Sequence, residues 1–374
     1  MRGGVWARRA RRDNTAGSMG HTVVVHEESA QEVKWPRGAG TGIGSMPGTD
    51  AAETAAIVLG ELPDLPYLPE LPERGVGADL IGRSCGLLVD LAVEVVPSGY
   101  RVASRPGRHY RRAVDLMRWD LDALEDARQR AGAHPRLIKT QVAGPWTLTA
   151  NVETARGHRV LTDHGAVREF TESLIEGLAA HVGELRERTG AAVIVQFDEP
   201  TLPEVLAGSL PTASGYDTVS AVRAPEARDL LVKVVQAMER ATGNPVVLHC
   251  CAPRPPMALL HSTGAGAISF DATTLDGAPA ALLDEIGETW DSGTELLLGL
   301  VPGMEPQRWP SLKEAAGPAL RLVDRLGFNR SILAERAVAT PVCGLAGATG
   351  EWTRRALSLT RELGKAFVEP PESW

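Results

Sequence analysis

What most constrains this chain is the order in which short apolar runs and longer charged, Ala- and Leu-rich stretches follow one another. Residues 191–197, 246–251, 267–270, 295–301 and 337–340 each read as a buried strand, and a helical stretch separates most of them from the next. Strands that alternate with crossover helices lie parallel in a sheet covered by helices. Adding the runs at 41–45, 93–102 and 136–143 brings the count to about eight. Eight is the strand number of an α/β fold of the (β/α)8, TIM-type barrel class, and residues 38–374 suit its length. A doubly wound open sheet is the alternative, weakened because no Gly-x-Gly-x-x-Gly turn follows the first strand.

Between these runs, Asp50 is placed to cap a helix over 51–62, and residues 63–76 form a proline-rich loop packed on the body. Helices are expected over 79–92, 115–131, 167–189, 226–242, 255–262, 280–290, 312–326 and 351–367. Five arginines crowd 101–112: Arg101, Arg105, Arg108, Arg111 and Arg112. They read as a solvated surface, with an anionic donor or a partner protein as the functional alternative. Residues 1–37 read as a disordered or loosely attached extension, and 38–374 as one barrel domain.

The formal net charge of −8 argues against a nucleic-acid partner, whose footprint is basic. No apolar run approaches the roughly 20 residues that span a bilayer. The basic start, residues 1–12, lacks the apolar core of a secretory signal. Four cysteines (Cys85, Cys250, Cys251 and Cys343) in 374 residues are no disulfide framework, so reduced thiols in the cytoplasm are expected.

The chemistry collects where strands end. Side chains alternate along a strand, so His249 and Cys251 share one face and Cys250 takes the other. Taken alone, His-x-Cys is more often core than ligand. In a parallel barrel, however, reactive groups sit at the C-terminal ends of strands. Asp198 and Glu199, His249 and Cys251, Asp271, and Cys343 all occupy such ends. One imidazole, two thiolates and a carboxylate make a tetrahedral zinc site better than a magnesium or calcium one. Zinc with an exchangeable ligand deprotonates an incoming thiol, so the expected chemistry is thiol activation for alkylation.

At this point the chain resembles the catalytic barrel of cobalamin-independent methionine synthase, the zinc enzyme that methylates homocysteine. The family's strand-end His-x-Cys resembles His249-Cys250-Cys251, and its Pro-x-Cys-Gly-Leu resembles Pro341-Val342-Cys343-Gly344-Leu345. Its Ile-Gly-Ser-Phe-Pro turn resembles Ile43-Gly44-Ser45-Met46-Pro47, and its Gln-x-Asp-Glu-Pro resembles residues 196–200. Gly144-Pro145-Trp146-Thr147 resembles its Gly-Pro-x-Thr. The resemblance runs from about residue 40 to the C-terminus. It implies Zn2+ on His249, Cys251, Asp271 and Cys343, with homocysteine held by Gly44, Ser45 and Asp198. It also implies Glu204 beside a pterin, and a methyl donor that is either methyl-folate or a corrinoid protein.

Four departures accompany it. Asp271 stands where the family has Glu, and Met304 lies near the place of the proton-donating His. Asn151 stands where a tryptophan would wall the folate, and the N-terminal barrel of the long family form has no counterpart. The second acid for the homocysteine amine is left among Glu70, Glu73 and Asp79. Other zinc–thiol barrels, such as coenzyme M methyltransferase or epoxyalkane–coenzyme M lyase, are the enzymatic rivals. A non-catalytic zinc-binding relative is the rival of another class. Asp198 favours an amino-acid thiol, since it attracts an ammonium and repels a sulfonate.

Overall fold

The computed structural model describes residues 35–212 and 215–369, so most of the expected N-terminal extension lies outside the described residues. Nine strands run through them: β1 (Ala92–Val96), β2 (Gly99–Ala103), β3 (Leu137–Ala143), β4 (Val152–Glu153), β5 (Ala192–Asp198), β6 (Val247–His249), β7 (Ala267–Asp271), β8 (Glu295–Val301) and β9 (Ala337–Pro341). β3, β5, β6, β7, β8 and β9 pair in that order in one curled sheet, every ladder parallel. The crossovers carry helices whose apolar faces are buried, such as Leu231, Val234, Val235 and Met238 of Ala224–Thr242. Among the described residues no helix is long and apolar enough to cross a membrane.

One expected barrel strand is something else. Residues 93–102 form the antiparallel hairpin β1–β2, which joins β4 in a separate three-stranded sheet. The reason is visible in burial. Val93 is buried and Glu94 exposed, and β2 is half-buried throughout, whereas all seven residues of β3 are buried. Such alternation suits a sheet with one wet face.

The neighbours of β3 and β9 come instead from residues 39–46 and 65–70. Gly40 bridges Ala339, Ser45 bridges Glu70 and Tyr67 bridges Lys139, each in parallel sense. Thr41 N–H donates to Ala339 O, Glu70 N–H to Gly44 O, and Leu68 N–H to Lys139 O. Prolines at 63, 66, 69 and 72 lack an N–H, so this segment makes isolated bridges in place of a continuous ladder.

Side-chain layers follow from the period of two. Leu137, Ile194, Val247, Ala267, Leu297 and Val338, one from each strand of the sheet, pack with Ala39 and Leu65 in a separate apolar cluster. Trp35 packs against the same cluster. Two residues further along each strand the interior turns polar, with Thr41, Lys139, Gln196, His249, Ser269 and Thr340 all buried. Another step of two reaches Gln141, Asp198, Cys251 and Asp271.

Local signals hold the helices in place. Asp50 accepts from Ala52 and Glu53 N–H to start Ala51–Glu61, and Ser311 with Glu314 forms a capping box on Leu312–Leu326. The helix Arg108–Ala131 starts before the expected Asp115, with Arg108, Arg111 and Arg112 on its exposed side. Its buried Asp120 holds Arg74 at 2.7 Å and Arg83 at 2.5 Å, tying the proline-rich loop and the helix Leu80–Cys85 to this helix.

Candidate functional site

β6 ends at His249, and Cys251 follows where the strand opens into a turn. β9 ends at Pro341, which stops the ladder and leads into the loop carrying Cys343. The ligand atoms of His249, Cys251 and Cys343 all lie within 4.8 Å of one another. His249 Nδ1 is 3.0 Å from Ser269 Oγ on β7, which orients the ring. Its Nε2 is buried and has no hydrogen-bond partner. A buried polar atom without a partner calls for a ligand, and a metal supplies one.

The two thiols lie against each other. The Cys251 thiol first and the His249 imidazole second hold the Cys343 thiol well below its usual range, at about 4. Cys251 keeps its proton, pushed up by the same contact and by burial. Cys250 is fully buried, its N–H donates to Ser269 O, and burial pushes its thiol up to about 12. Cys85 is a buried core thiol in the helix Leu80–Cys85.

Asp271 ends β7, the strand beside β6, and is outside the three-residue cluster. Its Oδ1 accepts from Thr273 N–H at 2.9 Å and Thr273 Oγ at 2.6 Å, which starts a short 3-10 turn. The structure thus brings three of the four expected ligands together and leaves the carboxylate on its own turn.

Asp198 ends β5 in register with His249 and is 6% exposed. Its Oδ1 accepts from Gln196 Nε2 at 2.7 Å. Burial pushes its carboxyl up to about 7, opposed by His249, Lys139 and the Gln196 amide. Glu199 points the other way. Its carboxylate accepts from Trp146 N–H, Thr147 N–H and Thr147 Oγ at 3.0, 2.7 and 2.8 Å, anchoring the first turn of Pro145–Asn151. A Cβ on Gly144 would come within 2.3 Å of that carboxylate, so only glycine fits there.

The turn at Gly44 and Ser45 packs between Gln141 and the loop that carries Cys343. A Cβ on Gly44 would lie 2.7 Å from the Gln141 side chain, and one on Gly344 would lie 1.9 Å from Ser45 Oγ. Leu345 N–H donates to Ser45 O at 2.7 Å, so the turn is latched to the Cys343 loop. The three nearby acids are now distinct. Glu73 is exposed, and Asp79 caps Leu80–Cys85 and accepts from Tyr100 Oη. Glu70 is 4% exposed, bridges Ser45, and feels the charge of Asp198. Lys139, Gln141 and Ser269 were not singled out from the sequence, and Glu70 stood there only as one of three candidate acids. The signal available was polar residues spaced by two inside otherwise apolar strands, as in Lys139-Thr140-Gln141.

Glu204 is exposed on the short helix Leu202–Ala207. Asn151, also exposed, donates to Thr147 O at 2.8 Å and to Thr201 Oγ at 3.3 Å, linking the two short helices. Met304 is 61% exposed beside Gly347, where a Cβ would meet its sulfur at 2.6 Å.

A family model described as "Cobalamin-independent synthase, Catalytic domain" matches residues 39–366. Among solved structures, the chain is similar to a B12-independent methionine synthase from Shewanella sp. W3-18-1, crystallised with selenomethionine. That match has TM-score 0.57 and 12% identity, covering 88% of this chain and 98% of the other. A methyltransferase from Methanosarcina mazei matches with TM-score 0.53 and 15% identity, over 89% and 94% of the two chains. At these identities the two likenesses speak for the fold. No curated protein sequence matches.

Proposed function

The chain belongs to the cobalamin-independent synthase catalytic-domain family and is a methyltransferase, and on that premise we propose that it methylates the thiol of homocysteine. The observation that carries this reading is the cluster of His249 Nε2, Cys251 and Cys343 beside the buried acid Asp198. One nitrogen and two sulfur donors suit zinc, with Asp271 as the fourth ligand once it leaves Thr273. When bound, zinc keeps a thiol deprotonated at neutral pH.

The chain's own residues do the rest. Ser269 fixes the His249 ring. Asp198 and Glu70, both acidic and buried, receive the α-ammonium, while the Gly44–Ser45 turn receives the α-carboxylate. Two acids in this place disfavour the sulfonate of coenzyme M, since like charges close together in a poorly solvated site repel strongly. The apolar cluster below excludes water from that side.

We read the fold around this site as one barrel over residues 38–374. Residues 40–45 and 65–70 supply the two strands that carry the curled sheet from β9 round to β3. Asn151 and Met304 support a donor side unlike that of a folate enzyme. An activated donor such as a methyl-corrinoid, whose cobalt leaves without protonation, fits them better. The test is an assay of zinc-loaded protein with homocysteine and a panel of methyl-folates and methylcobalamin. Methionine formed from homocysteine with any of them supports the reading, and turnover of coenzyme M but not homocysteine would overturn it.

A further inference from the structure

Lys139 stands in the middle of β3 with no exposed surface. An ammonium so placed is costly unless hydrogen bonds and anions compensate it. Its Nζ donates to Ile43 O at 2.9 Å and to Gln141 Oε1 at 3.2 Å, and it lies 5.2 Å from the centre of the Tyr67 ring. Each acceptor leads on to an acid. Ile43 O also accepts from Gln196 Nε2 at 2.9 Å, and that amide donates to Asp198 Oδ1 at 2.7 Å. Gln141 Nε2 donates to Leu68 O at 2.7 Å and to Glu70 Oε1 at 3.1 Å. Two arms therefore run from one ammonium to two carboxylates, and the first passes through the residue that precedes Gly44 and Ser45.

We propose that Lys139 is the positioning residue of the amino-acid subsite: by fixing Ile43, Gln141 and Gln196 it sets where Glu70 and Asp198 stand, and with Arg83, 3.6 Å from Glu70, it is one of the buried cations facing them. The ligand class is an α-amino acid with a sulfur side chain, so the inference rests on the reading of the pocket given above. Burial lowers the Lys139 pKa, to about 8, while Asp198 and Glu70 oppose the fall. The group therefore stays mostly cationic at pH 7. Tyr67, Glu70, Gln141 and Asp198 are the polar and titratable groups set around it. Lys139 is not among the clustered metal donors, so its effect falls on how an amino acid sits and not on how a thiol is activated.

The experiment uses Lys139→Met, which keeps the length and removes the charge, and Gln141→Met, which cuts only the Glu70 arm. Methionine, which has no ionisable thiol, is titrated calorimetrically into metal-free protein. Zinc-loaded protein is then alkylated with methyl iodide on homocysteine or on 1-propanethiol. Sulfur displaces iodide in both cases, and the thiol proton is released to buffer. Removing hydrogen bonds to charged groups should weaken methionine binding by about 10- to 100-fold in Lys139→Met and by less in Gln141→Met. KM for homocysteine should rise in parallel with kcat changed little, and 1-propanethiol alkylation should be unaffected.

Equal losses on both thiols, or unchanged methionine affinity in either folded variant, would overturn the proposal. If Lys139→Met does not fold, Gln141→Met decides. Wild-type protein that binds methionine in this Lys139-dependent way but activates no thiol would sink the zinc reading and leave this one standing. Wild-type protein that binds no methionine would sink this one.

Discussion

The sulfurs of Cys251 and Cys343 lie 3.4 Å apart although 92 residues separate them. Their strands, β6 and β9, are three places apart in the sheet order. Along a flat sheet three inter-strand spacings make about 14 Å. Only a strongly curled sheet lets the two loops meet, so the His249, Cys251 and Cys343 cluster is a product of the curvature.

Metal content should follow that geometry. Cys251→Ser and Cys343→Ser should each lose stoichiometric zinc, whereas Cys250→Ser and Cys85→Ser should retain it, as read by elemental analysis of purified protein. Cys250 is turned into the apolar core. Loss of zinc from Cys250→Ser with retention in Cys251→Ser would reverse the proposed strand register.

Asp198→Asn should weaken homocysteine without releasing zinc. A hydrogen bond between charged partners contributes roughly 1.5–3 kcal/mol, about one to two decades in affinity. Unchanged affinity by calorimetry would remove the main reason for preferring an amino-acid thiol to coenzyme M.

Asp120→Ala tests the frame behind the pocket. Asp120 is 3% exposed, and its loss takes the hydrogen-bonded partner from Arg74 and from the buried Arg83, which keeps only Glu70 at 3.6 Å. Removing one partner of such a pair costs about 3–5 kcal/mol. Denaturant unfolding should show a loss of that order, and a change under 1 kcal/mol would mean water reaches the site.

Glu295, at the start of β8, gives a pH test at the strand end opposite to the His249 and Cys251 side. Burial pushes its carboxyl up to about 7, partly opposed by Arg336. Between the unfolded value, near 4.3, and about 7 the folded chain holds the extra proton, so this residue's contribution to stability falls as pH rises. Glu295→Gln should therefore gain stability relative to wild type on going from pH 4.5 to pH 7.5. Parallel melting curves at the two pH values would count against it.

Methyl-folate should be a poor donor. When the N–methyl bond breaks, its nitrogen is a poor leaving group unless protonated, and loss of a general acid costs about 10²–10⁴ in rate. Met304 offers no proton, and Asn151 offers no aromatic wall. Rapid, saturable turnover of methyl-folate by the purified chain would restore a plain folate-dependent assignment.

Much of this was legible in advance because strands buried on both faces announce themselves as apolar runs, and breakers such as Pro200 and Pro341 mark their ends. That is how His249, Cys251, Asp198 and Cys343 could be placed on one rim. The bridging segment at 65–70 was not legible. Its prolines make it read as a loop, and its pairing depends on Glu70 and Leu68 N–H groups that meet partners remote in sequence. The β1–β2 hairpin took its place in the count because Val93 and Val95 resemble a buried strand until Glu94 and Arg101 are seen to face outward. Asp271 illustrates a second limit. Sequence gives its station at the end of β7 but not its attachment to Thr273.

The apolar cluster formed by Leu137, Ile194, Val247 and their neighbours has a kinetic consequence. On the proposed reading of the fold as a barrel, it fills one end, so both reactants would come and go by the other. If Glu70 and Asp198 hold the amino acid as proposed, it would enter first, and methionine would leave only after the spent donor. Turnover should follow a compulsory first-in, last-out order, with methionine competing against homocysteine and not against the donor.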